Sequence, residues 1–219
     1  MLEKTAYLSH KPTAPFRSKI LRKASITLII IGCWSFNAHA DDTMQHAAKE
    51  FASALQNPKE LQNLIGDDGL IVIRNFVTGG WGKRGKDIRY SLRKRDVPLD
   101  GSFPVKGETP VVLSLLFAES RKKGLDAEFS TVQAKSNLCF FSKRSKKCSQ
   151  FPTTNDAINS IAEAISDIKL GTISIVQLSS DEFLYTEAAD VIGGLPVGNF
   201  AVFSMRQGRY RLVALLDLR

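Results

Sequence analysis

The chain has 219 residues, with 30 Lys and Arg against 22 Asp and Glu, and a formal charge of +8. Its first forty residues hold six of those bases and one of the acids, so residues 41–219 carry 24 − 21 = +3. That excess is too small to argue for a nucleic-acid partner, and none is expected. About 180 residues are enough for one domain with its own apolar core, and no Pro-rich or Gly/Ser-rich linker divides them.

The amino-terminal segment reads as an export signal. Arg17, Lys19, Arg22 and Lys23 form a basic region, Ala24 through Phe36 an apolar core, and Ala38-His39-Ala40 a small-residue cleavage site before Asp41. The expected boundaries are a signal peptide over 1–40 and a single domain over 41–219. A second reading competes: Ile30-Ile31-Gly32-Cys33 resembles a bacterial lipobox, which would tether the protein to a membrane through a lipidated Cys33. A permanent span is disfavoured because the apolar run falls short of the roughly 18 to 20 residues needed to cross hydrocarbon. The expected location is therefore periplasmic or secreted. Cleavage after Ala40 leaves two cysteines, Cys139 and Cys148, and an oxidising compartment makes a disulfide between them the natural inference.

From Met44 the apolar positions Ala47, Ala48, Phe51 and Leu55 recur at three- and four-residue steps, predicting a helix with one apolar face. Asn57-Pro58 breaks it and opens a second, shorter helix, with Asn57 as cap and Gly66 as stop. Asp67-Asp68-Gly69 turns the chain into a β-branched strand over 70–77, covered on both faces. Residues 88–92 alternate as a strand with a basic face. Thr109-Pro110 predicts a helix start, continuing through Leu113, Leu116 and Phe117 to Gly124. Short strands are expected at 127–132 and 138–141. Asn155–Lys169 is the clearest helix, with Ile158, Ile161, Ile165 and Ile168 on one stripe. Strands follow at 172–178 and 183–187, and 200–205 with 210–216 form a hairpin about Gln207-Gly208.

Helices near the start and strands near the end, without strict alternation, predict an α+β fold with a curved, largely antiparallel sheet packed by helices. The paired helices over Ala47–Ile65 and the closing hairpin Phe200-Ala-Val-Phe-Ser-Met-Arg-Gln-Gly-Arg-Tyr-Arg-Leu-Val-Ala-Leu-Leu-Asp217 resemble the nuclear-transport-factor-like, or cystatin-like, cone fold. The resemblance implies a sheet wrapped about a helix with a pocket between them. The second long helix and the Cys139–Cys148 loop depart from the simple cone.

One loop invites a nucleotide reading and does not support it. Gly79-Gly80-Trp81-Gly82-Lys83-Arg84-Gly85-Lys86 contains G-x-G-x-x-G and nearly a P-loop, but Asp87 stands where a magnesium-binding hydroxyl is needed and would repel phosphate. No nucleotide or other cofactor is expected. Trp81 among Lys83, Arg84, Lys86 and Arg89 fits an interaction loop better, since Trp and Arg dominate interface energetics. Lys143, Arg144, Lys146 and Lys147 form a second basic cluster, inside the presumed disulfide loop, suited to an anionic envelope component.

Catalytic residues are harder to assemble. His46 is the one histidine beyond residue 40, there is no G-x-S-x-G elbow, and no metal set is evident. Glu187, Asp190 and Asp217 remain as candidate pocket carboxylates, while Asp67-Asp68 and Asp181-Glu182 read as solvated turns. The expectation is a non-catalytic exported binding protein of the bacterial envelope, a periplasmic inhibitor or immunity-type factor, whose partner is another envelope protein or an anionic envelope component. The alternatives are an enzyme with a carboxylate-dependent cone pocket and a binder of a small ligand or anionic polymer.

Overall fold

The apolar stripe that begins at Met44 folds residues 43–56 into helix α1 and buries Met44, Ala47, Ala48, Phe51 and Leu55 on one side. The computed structural model describes residues 43–75, 88–105, 108–134, 154–166, 172–192 and 195–218, all within the unit Ala40–Arg219. After α1, Pro58 starts a 3₁₀ turn (Pro58–Glu60) that runs into α2 (Leu61–Leu64). Asn57 does not cap this turn through its side chain. Its amide instead donates to the Glu60 carboxylate at 2.9 Å, because a charged acceptor competes well for the donor.

Seven strands form one open sheet: β1 (Leu70–Asn75), β2 (Ile88–Leu92), β5 (Ser130–Gln133), β6 (Ile173–Gln177), β7 (Glu182–Ile192), β8 (Leu195–Arg206) and β9 (Arg209–Leu218). Their order is β2-β1-β9-β8-β7-β6-β5. Pairing is antiparallel except at β1/β9 and β5/β6. The expected α+β class with a largely antiparallel sheet therefore holds. So does the closing hairpin, whose Gln207 and Gly208 both have positive φ (51° and 79°), as a turn matched to strand twist requires.

Two predicted elements differ. Thr109-Pro110, read as a helix start, lies in strand β4 (Glu108–Val112) against β3 (Ser102–Val105), and helix begins only at α3 (Leu113–Leu116) and α4 (Ala118–Lys123). Thr109, Val111 and Val112 are β-branched, and Pro110 is tolerated because the two-stranded pair leaves outer edges. The strand predicted to end at Glu187 continues to Ile192 through a register shift between Glu187 and Asp190, where Ala188 takes a φ of 53°.

Helices cover both faces of the sheet. On the first, Val72, Ile175, Phe183, Tyr185, Ala201, Phe203, Leu212 and Leu215 pack with α1. On the second, Ile73, Val176, Leu184, Phe200, Val202, Ala214 and Leu216 pack with Ile158, Ile161 and Ile165 of α5 (Thr154–Ile165). A bulge opposite Val202 and Phe203 switches the alternation along β9, so that Leu212 and Leu215 share a face. The space between α1 and the first face is filled by aromatic rings. Phe51 meets Phe117, Tyr185 and Phe203 edge-on at 5.3, 5.0 and 5.6 Å.

Gly69 carries the turn into β1 at a φ of 85°, and a Cβ there would stand 2.2 Å from the Leu92 carbonyl oxygen. Gly69→Ala is expected to cost about 1–3 kcal/mol from backbone strain alone, read as a lower thermal midpoint. An unchanged midpoint would show that the turn relaxes freely.

Candidate functional site

A charged residue inside an apolar strand must find a partner, because an unpaired buried charge is too costly to retain. Opposite charges meet this problem in two neighbouring strands, Leu70-Ile71-Val72-Ile73-Arg74 in β1 and Leu215-Leu216-Asp217-Leu218 in β9. The parallel β1/β9 register sets Arg74 directly beside Asp217. Arg74 Nε and Nη2 each lie 2.7 Å from Asp217 Oδ2, and both side chains are 1% exposed.

The same register extends the row across the sheet. Asp217 pairs with Asn199 on β8, and Asn199 pairs with Glu187 on β7. The four residues face α1, with Glu187 and Asp217 two strand spacings apart, about 10 Å. Each part of the row grips one segment, Glu108–Lys123, mostly by its backbone. Arg74 Nη1 donates to the Thr109 carbonyl at 2.5 Å, and Asn199 Nδ2 to the Leu116 carbonyl at 2.9 Å. Glu187 accepts from the amides of Glu119 (2.8 Å) and Ser120 (3.0 Å) and from the Ser120 hydroxyl (2.7 Å). Tyr185 in turn donates to Ser120 Oγ at 2.6 Å. The carboxylate thus serves the otherwise unpaired first amides of α4.

The geometry decides what these groups do. Both Glu187 oxygens are engaged by donors of Glu119 and Ser120, and Asp217 is held by the Arg74 guanidinium, so the arrangement clasps Glu108–Lys123 onto the sheet. Asp190, past the bulge, is exposed and accepts from the Val191 amide. The three candidate carboxylates are therefore not gathered into one pocket. Sequence reasoning did not single out Arg74, Ser120, Tyr185 and Asn199. The readable signal was the isolated opposite charges within two apolar strands.

Burial raises the tyrosines near this core. Tyr90 is pushed up to about 12 by burial, against a smaller opposing pull from Arg74, and Tyr210 to about 12 by burial and then by Asp181. Tyr185 is raised chiefly by burial. The unfolded chain loses phenol protons near its ordinary value of 10 while the folded chain keeps them, so this contribution is fully present below pH 10. It is lost as pH rises towards 12. Residues 41–219 contain no other tyrosine. For a protein of residues 41–219, which lacks Tyr7, absorbance at 295 nm is thus expected to show little phenolate until it unfolds. A tyrosine titrating near 10 in the folded protein would overturn this.

Other sequence candidates have their own settings. Arg89 is exposed on β2, opposite Ile73 in the pairing. His46 is exposed on α1, 3.4 Å from Glu50. Asp67 and Asp68 form the expected exposed turn, near Lys94 (4.0 Å) and Arg206 (3.4 Å). Glu182, expected in a solvated turn, is instead fully buried in β7 and accepts from Ser204 Oγ at 3.0 Å, because the strand starts one residue earlier than the turn signal implied. Arg206 links to the same Ser204 hydroxyl at 2.6 Å. Together with Arg211 and Lys94 it lines a cleft of about 130 Å³ at the hairpin tip.

Trp81, Lys83, Arg84 and Lys86, the cations Lys143, Arg144, Lys146 and Lys147, Cys139 and Cys148, and the expected processing positions Cys33 and Ala40-Asp41 all lie outside the described residues. Compared with protein-family models, with curated proteins and with solved structures, the chain matches none.

Proposed function

We propose that the chain is an exported, non-catalytic binding protein of the bacterial envelope, acting on another envelope protein in the manner of a periplasmic inhibitor or immunity-type factor. The observation that carries this reading is the commitment of Glu187 and Asp217 to structural bonds. Acid–base work needs a carboxylate within reach of a substrate proton, whereas both of these are turned to the fold's own donors. Recognition then belongs to the surface. Exposed Arg89 lies close in sequence to Trp81, Lys83, Arg84 and Lys86, an aromatic residue among cations in a composition suited to an acidic partner. On the same reading, a Cys139–Cys148 bridge staples the loop bearing Lys143, Arg144, Lys146 and Lys147.

The test uses protein recovered from the envelope fraction of an exporting cell, with its mature amino terminus determined first. Trp81→Ala is expected to reduce partner capture tenfold or more with an unchanged unfolding midpoint, and Arg89→Glu to weaken capture most at low salt. Full capture by both variants, or an intact Met1 on unanchored protein, would overturn the reading.

A further inference from the structure

We draw no further inference here: the strongest candidate, the cleft at the β8–β9 hairpin tip lined by Lys94, Arg206 and Arg211, carries nothing because those cations are already engaged by Asp67, Asp68 and the Asn63 carbonyl and nothing in the structure shows what would displace them.

Discussion

Asp217→Ala is expected to destabilise the protein by about 3–5 kcal/mol, the cost of taking the Asp217 carboxylate away from a buried guanidinium. Arg74 is 1% exposed, and its bond to the Thr109 carbonyl brings no negative charge to the guanidinium. Replacing both members by apolar residues, Arg74→Met with Asp217→Leu, removes the desolvation penalty along with the pair. The double variant is therefore expected to be more stable than Asp217→Ala, short of full recovery because the Thr109 anchor is also lost. Urea unfolding with unchanged m values reads both results. A single variant within 1 kcal/mol of the parent would mean that water reaches Arg74 and that the pair is not a structural requirement.

Glu187→Gln is the second large effect. The substitution keeps the volume but turns one of the two acceptor oxygens into a donor, which then faces either the Glu119 amide or the Ser120 amide and hydroxyl, at a cost of about 2–4 kcal/mol. Local readout separates this from a general loss. Hydrogen exchange at the Glu119 and Ser120 amides is expected to speed up well beyond the global change, while amides of β8 follow global stability alone. Uniform acceleration across the chain would remove Glu187 from its role as the clasp on α4. Ser120→Ala keeps both amide bonds to Glu187 and is expected to cost about 1–3 kcal/mol, since it leaves the buried Tyr185 hydroxyl without its acceptor.

The readable parts of the fold were those set by neighbours in sequence. The Met44–Leu55 stripe, the isoleucine stripe of α5 and the Gln207-Gly208 turn each carry their cause within a few residues. The Glu108–Val112 strand was misread because the Thr109-Pro110 pair serves a helix start and a sheet edge equally well. Only the pairing with Ser102–Val105 decides between them. The clasp was hidden for a different reason. Arg74 and Asp217 are 143 residues apart, and Asn199 and Glu187 join them through strand register, which no local pattern specifies. Glu187 and Asp217 were both visible as candidates, but their chemical assignment depended on donors from α4 and β1.

The position of β9 governs how the molecule is put together over time. It lies between β1 and β8, yet follows every other strand of the sheet in chain order. A nascent polypeptide would carry the β1–β2 pair and the β5–β8 array as two unjoined pieces until Arg209–Leu218 emerged to bridge them. Joining pieces so distant along the chain incurs a large loop-closure entropy before contacts repay it, which places this topology among slow folders. The final ten-residue strand is thus the keystone of maturation, and the edges of β1 and β8 that it pairs stay open for longest in the incomplete chain.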